Sequence, residues 1–281
     1  MLAPELTFVA GKGGVGRSAI TAALSLRAAR TRERVLAVAL TDPGGLAAHL
    51  GVELDHRPRA VRAGLHALAV DRRAALNEYL RLQLHVPRLA PLGGLAAGLN
   101  LLVDAVPGIR DIITIGKVLH EARSGDWESI IVDAPASGQF ISYLRAPATI
   151  ARLAPPGRIR QQAGWMQALL SDRNRTGVIL VSLAEELPVA ETLESIGELR
   201  AEDLAGLTGV VVNRCLQPLP AKLDRIPDGP FRQAAIHQQE LATSQAAWRR
   251  KLPNHTEVPF LFGIRTPGEV AARIADEMEG S

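Results

Sequence analysis

The 281 residues are 47% hydrophobic and 22% charged, with a single cysteine, Cys215. That count excludes a disulfide framework and any intrachain Cys-x-x-Cys metal or redox motif. A formal net charge of +3, scattered basic groups and 4% aromatic residues exclude the footprint of a nucleic-acid binder. The opening Met1-Leu2-Ala3-Pro4-Glu5 has neither the basic nor the apolar region of a signal peptide, and no run of about 18 apolar residues predicts a membrane span. A cytoplasmic chain is expected, with at most peripheral membrane contact.

In chain order, the apolar run Leu6–Ala10 reads as a buried strand and Ser18–Arg30 as a helix. Between them stands Gly11-Lys12-Gly13-Gly14-Val15-Gly16-Arg17-Ser18. Strand, glycine loop and helix is the setting of a phosphate-binding loop, in which backbone N–H groups and a helix N-terminus surround an anion. Gly13, Gly14, Val15, Gly16 and Arg17 are expected to present amides to the phosphates, and the Ser18 hydroxyl to bind Mg²⁺. Arg17 stands where the general pattern has lysine, and Lys12 is an additional lysine. Of the 32 basic residues only Lys12, Lys117, Lys222 and Lys251 are lysines, so an arginine here is ordinary and a retained lysine is telling.

Val35–Leu40 predicts a second strand, ending in Thr41-Asp42-Pro43-Gly44-Gly45-Leu46. A carboxylate there sits in the crevice where parallel sheets bind ligands, and Asp42 is placed to orient water or hold a metal-bound one. Capping a turn is the other reading, since Asp-Pro-Gly favours turns. His66–Val70 is a third strand and Arg72–Gln83 a helix. Ser129–Asp133 leads into Asp133-Ala134-Pro135-Ala136-Ser137-Gly138, apolar residues ending on a carboxylate that faces metal, then a loop able to switch. Gly177–Leu183, Gly209–Asn213 and Val258–Leu261 complete seven strands, with helices over Pro188–Ala201, Pro230–Lys251 and Pro267–Met278. Asn213 carries the donor and acceptor that suit the edge of adenine, and Arg214 follows it.

Such alternation predicts a doubly wound α/β fold with a mostly parallel sheet of about seven strands, over residues 1–281 as one domain. Two intervals interrupt it, about 72–126 and 139–175. They read either as extra helices packed on the sheet or as a helical region offering an apolar groove, with Phe140, Ile141, Tyr143, Leu144, Trp165, Met166, Leu169 and Leu170 as its lining.

Taken together, these segments resemble the ArsA/MinD class of P-loop ATPases. Gly11–Ser18 looks like the class's deviant Walker A loop, Thr41-Asp42-Pro43 like the T-D-P of the ArsA branch, and Asp133–Gly138 like its D-T-A-P-T-G. Pro107-Gly108-Ile109-Arg110-Asp111 is similar to its P-G-I-x-E and Val211-Val212-Asn213 to its V-V-N. The nearest likeness is to ArsA-like ATPases encoded as adjacent pairs in actinobacteria, and the branch also includes the ATPase that escorts tail-anchored membrane proteins. The resemblance implies a P-loop NTPase fold and binding of ATP and Mg²⁺. It places Gly11 to Ala19, with Asn213 and Arg214, around the nucleotide, Ser18, Asp42 and Asp133 around the metal, and Lys12, Asp42 and Asp133 in catalysis. It also implies an ATP-closed dimer, with itself or with a paired homologue, in which Lys12 reaches the partner's nucleotide and the dimer engages a hydrophobic client or a membrane-associated partner.

Three departures qualify it. Arg17 replaces a compact point charge with a planar fork, so slowed hydrolysis is expected. The A-[HS]-N-L-S-D continuation after T-D-P is replaced by Gly44-Gly45-Leu46-Ala47-Ala48-His49, which alters the switch. One cysteine supports neither a zinc-bridged dimer nor arsenite binding, so arsenite transport is disfavoured. An ATP-sensing scaffold without significant hydrolysis is the alternative that Arg17 leaves open.

Overall fold

The computed structural model describes residues 4–84, 108–219 and 226–279. Pro107, Lys222 and the central part of the 72–126 interval lie outside the described residues. The chain order is β1 (Leu6–Gly11), α1 (Arg17–Ala28), β2 (Val35–Ala39), α2 (Pro43–Leu50), β3 (Arg59–Arg62), β4 (Leu65–Ala69), α3 (Arg72–Leu84), α4 (Ile109–Ser124), β5 (Ser129–Ala136), α5 (Ser137–Leu153), α6 (Arg158–Ser171), β6 (Thr176–Leu183), α7 (Glu186–Ala201), β7 (Gly206–Cys215), α8 (Pro230–Arg249), β8 (His255–Pro259) and α9 (Pro267–Glu277).

The strands form one sheet in the order β3-β4-β2-β5-β1-β6-β7-β8, parallel throughout except for the β3–β4 pair. This is the doubly wound α/β architecture of P-loop NTPases. Its interior strands are nearly continuous runs of Val, Ile, Leu and Ala because both faces are covered. Side chains alternate between two apolar layers, as the two-residue period of a strand requires. Leu6, Phe8 and Ala10 of β1 join one layer with residues of α4, α5, α6 and α7. Val9 joins the other, with α1 and α9. Helix α9 packs on both α1 and α2.

Four differences from the sequence reading have physical causes. The sheet has eight strands among the described residues; β3 is a polar, mostly exposed edge, Arg-Ala-Val-Arg, without an apolar run to reveal it. Strand β8 lies at His255–Pro259 and starts three residues before the expected run, because this edge strand opens on polar His255, Thr256 and Glu257, which form no apolar run. Residues Pro43–Leu50 form a helix rather than an open turn, with Asp42 as N-cap and Pro43 at its first position, a combination that starts helices as readily as turns. Finally, β5 runs through Pro135 to Ala136 and α5 starts at Ser137, so the segment expected to be a loop is a direct strand-to-helix junction.

The proposed apolar groove is also corrected. Phe140, Ile141, Tyr143, Leu144, Met166, Leu169 and Leu170 are all buried in the core layer, and Trp165 packs against it. They are helices laid on the sheet, with Pro147 accommodated inside α5.

Candidate functional site

The phosphate loop is the connection from β1 to α1. Its glycines are there for geometric reasons that the chain makes explicit. A Cβ on Gly11 would stand 2.2 Å from the carbonyl oxygen of Val181 on the neighbouring strand, so only glycine lets β6 approach. Gly14 and Gly16 have φ of 85° and 91°, in the left-handed region that disfavours side chains. Gly16 is the N-cap of α1 and has no side chain to satisfy the first amides of the helix. Those amides, and the positive end of the helix, are left for an anion. Nothing stands within 4 Å of a Cβ built at Gly13 or Gly14, so the outer side of the loop is open.

Asp133 is brought to the loop by sheet register. It sits on β5, paired with Val9 of β1 on one side and Ala39 of β2 on the other. Its Oδ2 accepts a 2.6 Å hydrogen bond from the Ser18 hydroxyl at the start of α1. Asp133 is 7% exposed, and burial pushes its carboxyl above the ordinary range, opposed by the Ser18 hydrogen bond and the positive charge of Arg17. Such a carboxylate gains from a nearby cation. A hydroxyl and carboxylates are hard oxygen donors, the set that suits Mg²⁺. Asp42 follows β2 and influences both Arg17 and Asp133 electrostatically. Its Oδ1 accepts from the Gly44 amide at 3.0 Å, so it is a helix cap as well as a neighbour of the site.

Helix α2 lies directly over this pair. A Cβ on Gly45 would be 2.5 Å from Ser18 Oγ and 3.0 Å from Ser18 Cβ. Glycine at 45 is therefore what lets α2 close on the serine hydroxyl, a role that motif reading does not assign. His49 turns back along the same helix, its Nδ1 2.8 Å from the Gly45 carbonyl oxygen.

Arg17 does not reach outward. Its Nη1 donates to the carbonyl oxygen of Ala134, immediately after Asp133. Burial lowers the pKa of its guanidinium, and the carboxylates of Asp133 and Asp42 offset part of that cost. Lys12 is held by its own chain, with Nζ 2.8 Å from Glu191 Oε1 on α7. Glu191 is a residue that motif reading missed; it lies on a helix of ordinary composition and only the fold brings it to the loop. Asn213, at the carboxyl end of β7, donates from Nδ2 to the carbonyl oxygen of Val15 at 2.9 Å and accepts the Arg214 amide on Oδ1. A Cβ at Gly16 would be 2.3 Å from that Nδ2, so the asparagine braces the underside of the loop. Arg214 has φ of 57°, a left-handed turn at the end of the strand. Ala19 is buried in the first turn of α1.

A family model for anion-transporting ATPases matches residues 5–162, which include the phosphate loop, Asp42 and Asp133. The chain is similar to ATPase BagA of Mycobacterium tuberculosis, 33% identical over 232 residues that cover 78% of this chain and 67% of that one. It is also similar to ATPase GET3 of Chaetomium globosum, 28% identical over 251 residues covering 76% and 73%, and to ATPase get3 of Neurospora crassa, 27% identical over the same length, covering 76% and 74%.

Proposed function

The chain belongs to the anion-transporting (ArsA) ATPase family, and from that premise we propose that it is an ATP-hydrolysing switch whose ATP-bound state is a dimer that engages a client. It is an ATPase by family. The observation that carries the site assignment is the hydrogen bond between Ser18 and Asp133 under an open loop of amides.

In this reading the amides of Gly13 to Ser18, flanked by Gly11 and Ala19, hold the phosphates. Ser18 and Asp133 bind Mg²⁺, with Asp42 close enough to hold one of its waters or to orient the attacking one. When bound, the metal neutralises charge that develops between the terminal phosphates. Arg17 keeps its charge beside Asp133 and supplies compensation from the floor of the site rather than a point contact to the phosphates. That placement supports slow turnover, because the stabilisation unique to the transition state is reduced. Asn213 holds the loop and offers its remaining N–H towards the base, with Arg214 beside it. The direct junction of β5 and α5 after Asp133 and the short helix α2 are the two elements that can report the state of the γ-phosphate.

Lys12 supports the dimer reading. Its salt bridge to Glu191 is partly exposed, 30% and 35% for the two side chains, and such pairs contribute up to about 1 kcal/mol. A triphosphate presented by a second subunit is a stronger acceptor, so Lys12 would exchange Glu191 for the partner's nucleotide. The partner is a second copy or a paired homologue. Among the described residues no helix is long and apolar enough to cross a membrane.

Light scattering on the eluting protein with Mg²⁺ and a non-hydrolysable ATP analogue tests this. Doubling of mass with nucleotide, alone or with the paired homologue, and its loss in Lys12→Ala are expected. An unchanged mass under both conditions would overturn the dimer.

A further inference from the structure

The phosphate loop carries two cations, Lys12 and Arg17, and the fold sends them in opposite directions. Lys12 is drawn to Glu191 on α7, with Nζ 2.8 Å from Oε1. Arg17 turns towards β5 and donates from Nη1 to the Ala134 carbonyl oxygen. The residue before that carbonyl is Asp133, whose Oδ2 accepts the Ser18 hydroxyl at 2.6 Å. The guanidinium is thus held near the carboxyl end of β5, beside the acid of the metal site. It is also within the influence of Asp42, which follows the neighbouring strand β2.

A divalent cation in such a site has two effects. It binds the phosphates, and it cancels the repulsion between them and the carboxylates that hold it. Here the second effect is already supplied by the protein. Burial disfavours the charge of Asp133, and the Ser18 hydrogen bond and the charge of Arg17 oppose that cost. Burial likewise disfavours the charge of Arg17, and Asp133 and Asp42 oppose it. A magnesium ion entering between Ser18 and Asp133 would share that carboxylate with a guanidinium, and two cations at one carboxylate repel. Its net contribution to nucleotide affinity is reduced accordingly. The fork meanwhile has donors to spare, since a guanidinium carries five N–H groups and the contact to Ala134 uses one.

We propose that Arg17, fixed to the Ala134 carbonyl beside Asp133, is the resident counter-ion of this site, so that ATP binds without Mg²⁺ and the metal is needed only for cleavage. This rests on the nucleotide reading above and specifies what form of the ligand the site takes: the free triphosphate as readily as its magnesium complex. Without the arginine, Asp133 and Asp42 would face the phosphates unscreened, and only a bound divalent ion would then make binding favourable. Arginine suits the role because its charge persists at any working pH and its planar fork can hold a carbonyl while still facing an anion. Binding and cleavage are thereby separated: the first needs the loop and its arginine, the second also needs the metal between Ser18 and Asp133.

Calorimetry on the full chain with the β,γ-imido analogue of ATP, in EDTA and in excess Mg²⁺, tests it, using wild type, R17M and R17M/D133N. Wild type should bind the analogue in EDTA within about fivefold of its affinity in Mg²⁺. R17M should bind it in EDTA at least about tenfold more weakly than wild type does, because the carboxylates are then uncompensated. Adding D133N removes the nearer of those carboxylates, so R17M/D133N should regain about threefold or more in EDTA over R17M. An arginine that merely shaped the loop would give a loss that D133N does not repair, which keeps the test decisive even if R17M is destabilised. Wild type that binds in Mg²⁺ but loses more than about fivefold in EDTA overturns the counter-ion and leaves the phosphate loop standing. So does R17M binding in EDTA within about tenfold of wild type, or a double variant that regains less than about threefold. Wild type that binds under neither condition overturns the nucleotide site and the counter-ion together.

Discussion

Lys12 Nζ lies 2.8 Å from Glu191 Oε1, so the lysine that the phosphate loop carries in addition to its usual set is tied down within its own subunit. A contact this exposed stabilises the fold little, and its effect should appear in association instead. Glu191→Gln is expected to leave the melting temperature within about 2 °C and to lower the ATP concentration needed for dimerisation. Lys12→Ala should abolish that dimerisation at any ATP concentration. Light scattering across an ATP titration reads both.

Gly45 offers a contrast between local propensity and tertiary fit. In a helix interior, glycine to alanine normally stabilises by about 1 kcal/mol. Here the added methyl would meet Ser18 Oγ at 2.5 Å, so α2 must lift off the Ser18 hydroxyl. Gly45→Ala should therefore lower, not raise, the melting temperature, and should increase the Mg²⁺ concentration needed for half-maximal phosphate release. Gly51, with φ of 69° and nothing within 4 Å, is a control on the same helix for which only backbone strain is at stake.

Arg17 sends its fork to the Ala134 carbonyl oxygen, next to the acid of the site. Lysine at this position is shorter and carries a compact charge free to face the phosphates. Arg17→Lys is expected to raise kcat by about tenfold or more with little change in KM, the signature of stabilisation felt only in the transition state. Steady-state phosphate release measures it. A fall in kcat would mean that the arginine is a catalytic group in its own right.

Away from the site, Lys117 is 7% exposed and pairs with Glu78 at 2.9 Å and Glu121 at 2.8 Å, joining α3 to α4 at the two described ends of the inserted helical interval. Burial works against its charge, but the hydrogen bonds to Glu121 and Glu78 outweigh it and raise its pKa. The hydrogen bond from His56, with the smaller contribution of Lys117, holds the Glu78 carboxyl at about 2 against burial, which raises it. A depressed carboxylate contributes stability that is present above its unfolded pKa and lost as pH falls through its folded one. The contribution is thus complete at pH 7 and fades from about pH 4.5 to pH 2. Since Glu78 is 39% exposed, a discounted value of roughly 1–2 kcal/mol is expected. Urea melts of wild type and Glu78→Gln should differ by that amount at pH 7 and converge only as the pH approaches about 2. Lys117→Met, which removes the ammonium between Glu78 and Glu121 and leaves them only His56 and the Trp127 indole, should cost about 2 kcal/mol at pH 7.

How far the residues could be read in advance depends on how local their cause is. Leu6–Gly11 followed by the glycine run announced its strand, loop and helix because each piece is decided by neighbours in sequence. Ser18 and Asp133 were each expected at the metal from their own segments, but their direct hydrogen bond was not, because it depends on β5 lying beside β1 in the sheet. Arg59–Arg62 was not, because an edge strand needs no apolar face on its outer side. Phe140, Met166 and Leu170 read equally well as groove or core, since apolar periodicity gives a buried face without naming what buries it. Glu191 had no signal of its own; it reaches the loop because α7 returns beside β1.

The central claim is that the loop from Gly11 to Ser18, with Asp133 beneath it, binds and cleaves ATP. Single-turnover release of phosphate from γ-labelled ATP, with protein in excess and Mg²⁺ present, addresses it most directly. Release by the wild-type chain well above that of Asp133→Asn is the expected result. Release no faster than that of Asp133→Asn, from protein that is folded and has bound the nucleotide, would contradict it.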